Sequence, residues 1–249
     1  FTGCALALQT EIVSRRTEYE KFVATPLLEV GERSRRFDAD LPFALTSSQV
    51  RVGKEIAGDL AKTTAMHRLL HGDVGSGKTL VALRAMLHVA DSGGQAALIA
   101  PTEVLAAQHE RSLRRMLGPL CEGQRPQLRL TLLTGSMSTA ERKKALLDIA
   151  SGSTDLVVGT HAVLGEQVHF ADLGLVVIDE QHRFGVEQRN ALRTRYESTP
   201  HMLVMSATPI PRTLQAALVG LQSLSVIATP PARRQPIRTA RAPMDDALL

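Results

Sequence analysis

A glycine-rich segment, Gly72–Thr79, has the residue types and spacing of a loop that binds phosphate groups. Its sequence, GDVGSGKT, satisfies the pattern G-x-x-x-x-G-K-[ST]. Glycines let the backbone turn its N–H groups towards an anion, and the helix predicted to follow adds partial positive charge. Within this loop, Lys78 is predicted to reach the β- and γ-phosphates of ATP, and Thr79 to place its hydroxyl on Mg²⁺. The predicted nucleotide-binding residues of the loop are Gly72, Asp73, Val74, Gly75, Ser76, Gly77, Lys78 and Thr79.

Two neighbouring carboxylates, Asp179 and Glu180, follow the apolar run at 175–178. Ligands of open α/β sheets bind at the carboxyl ends of the strands, which is where this pair falls. We predict that Asp179 holds Mg²⁺, directly or through water, and that Glu180 is the general base that orients the attacking water. Taken alone, the pair could equally be an exposed acidic turn. Together with the phosphate loop it predicts an ATP-hydrolysing site whose catalytic residues are Lys78, Asp179 and Glu180.

Composition excludes some classes of protein and permits others. The chain has 249 residues, a net charge of +4 and only 3% aromatic residues, with no Trp. The basic balance permits a polyanionic partner, and the scarcity of aromatic rings favours contact with a phosphate backbone over base stacking. No apolar run approaches the ~18 residues that span a bilayer, and two cysteines cannot form a disulfide framework. We expect a soluble protein of a reducing, cytosolic compartment.

The elements that must position these residues are short apolar runs alternating with helical segments. Alternation of this kind predicts a parallel sheet with helices on both faces. Ser138 and Glu141 have the spacing of a capping box, which marks one helix start. The predicted strands are 68–71, 96–100, 128–133, 156–158, 173–178, 202–205 and 224–228. The predicted helices are 79–90, 103–117, 138–150, 186–196 and 211–219.

The two ends of the chain differ from this central pattern. Apolar residues at helical spacing predict an amphipathic helix within residues 1–28, and the charged, poorly periodic segment 29–40 is expected to be a solvated linker. Proline and arginine are frequent in residues 229–243, which are expected to form an exit linker. The predicted domains are therefore a helical connector and linker at 1–40, an ATP-binding domain at 41–228, and a linker at 229–249. We expect the sequence to be part of a longer protein.

A series of motifs across residues 41–214 resembles the superfamily 2 helicases and translocases. The stretches that carry the resemblance are GDVGSGKT (72–79), APTEVLAAQH (100–109), VVGTHAV (157–163), VIDEQHRFGVEQR (177–189) and MSATPIPRTL (205–214). Within the superfamily, these stretches are most similar to the RecG family of bacterial ATP-dependent DNA helicases. The Mfd family of transcription-repair translocases shares several of them, but typically has a second Glu where Gln181 stands here. The resemblance implies a RecA-like P-loop NTPase fold with an N-terminal helical extension.

The resemblance also implies roles for residues outside the catalytic set. Gln49 looks like the adenine-reading glutamine, and Phe43 would add an apolar contact to the nucleotide. A turn and a helix start is the alternative interpretation of that segment. Coupling between ATP and DNA is implied for Gln181, His182, Ser206 and Thr208. Contact with DNA phosphates is implied for Thr102, Thr134, Gly135, Thr160 and His161, for which loops and helix caps are the structural alternative.

For the whole protein, the resemblance implies ATP-driven motion on branched or double-stranded DNA. That motion would reverse stalled forks and migrate Holliday junctions, in recombination and repair at the bacterial nucleoid. A wedge domain and a second RecA-like domain of the same protein are implied partners. Because the second domain would supply an arginine to the site, we expect the isolated chain to hydrolyse ATP slowly. Two alternatives are an Mfd-type translocase that acts on stalled RNA polymerase, and an ATP-gated DNA-binding module without productive hydrolysis.

Overall fold

Seven parallel strands form a single sheet in the described part of the chain. The computed structural model describes residues 23–27, 31–122, 127–179, 198–208 and 223–228. The spatial order of the strands is β3-β4-β2-β5-β6-β1-β7, and every neighbouring pair is parallel. The strands are β1 (His67–Gly72), β2 (Gln95–Ile99), β3 (Leu130–Leu133), β4 (Leu156–Gly159), β5 (Leu173–Asp179), β6 (His201–Ser206) and β7 (Ser223–Ile227).

Helices cover both faces of this sheet. The helices described are α1 (Glu32–Ala39), α2 (Ser47–Leu60), α3 (Lys78–Asp91), α4 (Glu103–Leu117) and α5 (Thr139–Ala150). The apolar side chains of α1 to α4 pack in one core cluster with strand residues such as Leu98. Those of α5 pack in a second cluster with strand residues such as Ala97. Successive strand residues point to opposite faces, so a sheet covered on both faces needs the continuous apolar runs that the sequence contains.

The predicted fold class is confirmed, as are the seven predicted strands and three of the five predicted helices. Each of these elements agrees with its predicted range to within two residues at either end. The capping box at the start of α5 is present, because Ser138 Oγ accepts a hydrogen bond from Glu141 N and the Glu141 carboxylate accepts one from Ser138 N. Helix α2 was not among the predicted helices; a turn and a helix start was only the alternative interpretation of the segment that contains Gln49. The predicted helices at 186–196 and 211–219 lie outside the described residues, as does the linker at 229–249.

The expected solvated linker at 29–40 is wrong for residues 32–39, which form α1. The side chain of Phe37 is buried, and Asp91, at the end of α3, caps the amino end of α1. Asp91 Oδ1 accepts a hydrogen bond from Arg33 N (3.1 Å), and its Oδ2 accepts bonds from Ser34 N (3.0 Å) and Ser34 Oγ (2.6 Å). The cap of α1 is thus supplied from 57 residues away, where no local sequence pattern reveals it.

The amphipathic helix predicted within residues 1–28 does not include residues 23–27. Val23 forms an antiparallel bridge with Thr64. Ala24 N and Leu27 N donate hydrogen bonds to the carbonyls of Thr63 (2.7 Å) and Leu60 (2.9 Å). This short segment is therefore extended and attached to the connection between α2 and β1. The rest of the predicted helix lies outside the described residues.

Candidate functional site

The phosphate loop connects β1 to α3. Gly72 is the last residue of β1 and Lys78 is the first residue of α3, so the loop leads directly into a helix amino end. The Lys78 ammonium donates hydrogen bonds to the carbonyls of Gly72 (2.8 Å) and Asp73 (3.0 Å). Its charge is thereby held over the loop, beside the backbone N–H groups of the first helical turn. Positive charge and exposed helix N–H groups together attract an anion.

Two glycines of the loop adopt conformations that other residues rarely reach. Gly75 and Gly77 have φ angles of 75° and 89°, and a Cβ added at Gly77 would collide with the amide of Gln49. The loop backbone therefore depends on glycine for its shape. Ser76 Oγ is buried and makes no hydrogen bond within the described residues. A buried hydroxyl without a hydrogen-bond partner destabilises a fold, and a phosphate bound in this loop would give Ser76 Oγ the partner it lacks in the described part of the chain.

Gln49 lies against the phosphate loop. Its side chain is 3% exposed, and its Nε2 donates a hydrogen bond to the carbonyl of Ser76 (3.0 Å). Its Oε1 accepts one from Thr46 N (2.9 Å), which completes a capping box at the start of α2. The structure therefore ties the first turn of α2 to the loop. Adenine recognition by Gln49 and by Phe43, which is 54% exposed, stays a prediction.

Asp179 ends β5 at the same edge of the sheet. Strand β6 lies between β5 and β1, so the ends of the two strands are about 10 Å apart at a spacing of roughly 4.8 Å per strand. A nucleotide and its metal ion can bridge such a gap. The Asp179 side chain is 20% exposed, and its Oδ2 lies 2.7 Å from His109 Nε2. Glu180, Gln181 and His182 lie outside the described residues.

Ser206 and Thr208, at the end of β6, lie between the phosphate loop and Asp179. Their hydroxyls are 2.8 Å apart, and Thr208 N donates to Ser206 Oγ (3.3 Å). His71 Nε2 lies 3.1 Å from the carbonyl of Thr208. Because a carbonyl can only accept, Nε2 must carry the hydrogen. The predicted coupling pair is thus connected to the residue that precedes the phosphate loop.

The predicted DNA-contacting residues follow β2, β3 and β4, on the other half of the same edge. Thr102 is exposed and caps α4 by accepting a hydrogen bond from Leu105 N (3.3 Å). Thr134 and Thr160 are buried, and His161 is exposed at the start of a short 3₁₀ helix, His161–Leu164. The structure brings these loops to one edge. Their contact with DNA stays a prediction.

Glu103 connects two of these loops. Its Oε1 accepts a hydrogen bond from Gly135 N (2.8 Å). Hydrogen bonding from the Ser136 hydroxyl, and to a smaller extent from the backbone N–H groups of Gly135 and Ser136, lowers the pKa of the Glu103 carboxyl. The N–H group predicted to meet a DNA phosphate is therefore bound to a carboxylate in this structure.

Sequence reasoning missed His71, His109 and Glu103 as members of the site. Glu103 and His109 lie inside a recognised motif and His71 directly precedes one, but none was assigned a role of its own. One signal was available for His109, which stands three residues after Ala106 and four before Leu113. Those two residues belong to the buried stripe of α4, so His109 had to face the sheet. The partner of each residue lies far away in the chain and could not be read from the sequence.

Comparison with known proteins identifies the family to which the chain belongs. The model of the DEAD/DEAH box helicase family matches residues 49–217, which is more than half of the chain. ATP-dependent DNA helicase RecG of Mycobacterium tuberculosis (strain CDC 1551 / Oshkosh) is 52% identical over 206 residues, covering 80% of this chain and 28% of that protein. RecG of Synechocystis sp. is 47% identical over 234 residues, covering 94% of this chain and 27% of that protein. The chain thus spans less than a third of the length of these relatives.

Solved structures give the same result. The structure of RecG bound to a three-way DNA junction matches with a TM-score of 0.78 at 38% identity, covering 92% of this chain and 30% of that one. The Pyrococcus furiosus Hef helicase domain matches with a TM-score of 0.51 at 22% identity, over 74% of this chain and 38% of that one, and supports the fold alone. The resemblance to RecG helicases inferred from the motifs is confirmed. No helix in the described part of the chain is long and apolar enough to cross a membrane.

Proposed function

The chain belongs to the DEAD/DEAH box helicase family, and from this membership and the site described above we propose that it is the ATP-hydrolysing motor domain of a RecG-type DNA helicase. The observation that carries the proposal is the sharing of one sheet edge by the phosphate loop, Asp179 and the Ser206–Thr208 pair. ATP binding and a response to ATP can be built from these groups. The RecG relatives favour this assignment over an Mfd-type translocase.

We call the part of the sheet edge that carries the phosphate loop, Asp179 and the Ser206–Thr208 pair the nucleotide half, and the part that follows β2, β3 and β4 the DNA half. The residues of the nucleotide half have the following proposed roles. Lys78 and the N–H groups of the loop bind the phosphates and stabilise the charge that develops on them. Thr79 and Asp179 would hold Mg²⁺, which would neutralise the charge of the phosphates. Glu180 is proposed to orient the attacking water. Ser206 and Thr208 sense the γ-phosphate, and the carbonyl of Thr208 connects them to His71.

The substrate proposed for the whole protein is branched DNA. RecG has been solved on a three-way DNA junction, and the loops after β2, β3 and β4 here bring hydroxyl, backbone and helix-start groups to one edge, of which Thr102, Gly135 and His161 are exposed. We assign the contacts to Thr102, Thr134, Gly135, Thr160 and His161. Gln181 and His182 are proposed to couple DNA to hydrolysis. A basic chain with a net charge of +4 is compatible with a polyanion of this kind.

We propose an organisation of the whole protein that the partial coverage of the relatives supports. Residues 41–228 would form the first motor domain, after a connector at 1–40 and before a linker at 229–249. A wedge domain and a second RecA-like domain would complete the machine, the second one supplying an arginine to ATP. We propose that it acts on chromosomal DNA in the bacterial cytoplasm, in fork reversal, Holliday junction migration and repair.

Substitution of Lys78 in the full-length protein tests the proposal. Lys78→Ala removes the ammonium that lies over the loop, so ATP hydrolysis should fall at least about a hundredfold, with unwinding of a three-way junction lost. The matched control is Lys143→Ala, an exposed lysine of α5 on the other face of the sheet. Both variants should melt within a few degrees of the wild type. Unwinding by the Lys78→Ala variant, or no ATP-dependent unwinding by the wild type, would refute the proposed function.

A further inference from the structure

The hydrogen bond between His109 and Asp179 joins the two halves of the sheet edge. The atoms Nε2 and Oδ2 are 2.7 Å apart, and the two side chains are 15% and 20% exposed. This is a short bond in a place where little water competes for it. It also joins residues 70 positions apart, so it depends on the fold and not on local geometry.

Helix α4 carries His109 from the DNA half of the edge to the nucleotide half. The helix begins after β2, where Thr102 caps it, and Glu103 in its first turn is bonded to Gly135 of the loop after β3. Six residues later, about 9 Å along the helix axis, His109 meets Asp179 at the end of β5. One rigid element therefore contacts a predicted DNA loop at its start and the predicted magnesium ligand two turns further on.

The chemistry of the pair fixes the direction of the bond. An ionised carboxylate can only accept hydrogen bonds, so His109 Nε2 carries the hydrogen and donates it to Oδ2. That donation restricts rotation of the Asp179 carboxylate, and its second oxygen, Oδ1, would be the one to hold the metal. Ligating groups of metal sites are commonly oriented by an outer hydrogen bond of this kind.

We propose that His109 is a positioning residue that orients Asp179 for magnesium. The inference rests on the proposed function, since it assumes that the site binds Mg·ATP. In a purely structural role, Asp179 would only supply a hydrogen-bond partner for the imidazole of His109. That ring lies on the buried side of α4, beside the apolar stripe that Ala106, Leu113 and Leu117 form. The two roles differ in what they do to the metal: only positioning makes magnesium affinity depend on the imidazole.

Nucleotide binding with and without magnesium separates the two roles. In the full-length protein, His109→Ala should raise the Mg²⁺ concentration for half-maximal binding of a fluorescent ATP analogue by about 10- to 100-fold. Binding of the analogue in EDTA should stay within about twofold of the wild type, because the phosphate loop is unchanged. His109→Gln keeps an N–H donor of similar reach and should recover most of the magnesium affinity. The matched control is His169→Ala, which changes an exposed histidine.

The outcomes are distinct from those that test the proposed function. An unchanged magnesium requirement in His109→Ala would overturn the positioning role. Equal weakening of binding with magnesium and with EDTA, together with a lower melting temperature, would overturn it as well, because that is the result of a structural role. If the wild type binds the analogue in neither condition, it is the proposed function that fails.

Discussion

Replacement of Asp59 by alanine should strongly destabilise the fold, because it leaves a buried guanidinium short of partners. Arg68, in β1, is 8% exposed. Its Nε and Nη2 donate to Asp59 Oδ2 (2.8 and 2.6 Å), and its Nη1 donates to Ser225 Oγ (2.6 Å) and Glu55 Oε2 (3.3 Å). Asp59 and Glu55 belong to α2, and Ser225 belongs to β7. This ionic cluster therefore holds a helix and an edge strand against β1.

The expected size of the effect follows from these contacts. Removing one partner of a buried ion pair typically costs 3–5 kcal/mol, because the remaining charge stays desolvated. Here Glu55 remains beside Arg68 and is 30% exposed, so it can compensate in part for the lost carboxylate. We therefore expect Asp59→Ala to lower the free energy of unfolding by about 3 kcal/mol, the lower end of that range.

Urea unfolding of the chain, followed by far-ultraviolet circular dichroism, measures this quantity. Lys62→Ala is the control: Lys62 pairs with Asp59 at 2.6 Å, but its side chain is 61% exposed, so its loss should cost less than about 1 kcal/mol. The double substitution Asp59→Leu with Arg68→Met should recover much of the stability, since it removes the charge as well as its partner. If Asp59→Ala costs no more than Lys62→Ala, the reasoning about the buried guanidinium is wrong.

Two further predictions concern titration. Burial lowers the pKa of His201 below its ordinary value of 6.5, and the neutral ring accepts a hydrogen bond from Met66 N at Nδ1 (3.0 Å). As the pH falls, His201 therefore binds a proton in the unfolded chain before it does so in the folded chain. The free energy of unfolding should decline below about pH 6.5, by up to about 1.4 kcal/mol per pH unit. Urea unfolding of the His201→Gln variant should lack this decline. Burial raises the pKa of the Cys121 thiol from 9.0 to about 11. Iodoacetamide at pH 8 should therefore label Cys121 about a hundredfold more slowly than an ordinary thiol, as measured by peptide mass spectrometry. Labelling at the ordinary rate would contradict this prediction.

The parallel sheet was predictable because its signal is local and strong. A strand buried on both faces needs a continuous apolar run. Runs such as 173–178 are followed by polar or charged residues, and the carboxyl ends of parallel strands bring such residues to one edge of the sheet. The order of the strands was not predictable in the same way. It depends on which strands pair, and nothing in the runs themselves states that β6 inserts between β1 and β5.

The error of the sequence analysis at residues 32–39 has a physical cause. Helix α1 looks like a solvated linker because its cap, Asp91, and the partners of its charged residues come from other elements. Arg84 binds the Asp38 carboxylate through Nε (2.8 Å) and Nη2 (2.7 Å), and Arg33 lies 2.9 Å from Asp155. A charged segment that lacks periodicity can therefore fold when complementary charges are already placed on the domain.

The motif residues were predictable, whereas the bonds between motifs were not. Spacing alone predicts that Lys78 belongs to a phosphate loop, since the loop, the lysine and the helix start are consecutive. That Gln49 donates to the carbonyl of Ser76, or that His71 donates to the carbonyl of Thr208, depends on loops from different strands meeting. The site therefore has two levels: local motifs that bind, and tertiary hydrogen bonds that connect the motifs.

The bond between Glu103 and Gly135 shows that the loop after β3 can bind an anion. A carboxylate accepts hydrogen bonds there from the N–H of Gly135 and from Ser136, and these bonds favour its charged form. A loop that stabilises one anion has the donors that a phosphate oxygen requires. A DNA phosphate bound at the same N–H would have to displace Glu103, which sits in the first turn of the helix that carries His109. Binding there would consequently release the hydrogen bond that fixes the amino end of α4, the same helix whose His109 contacts Asp179.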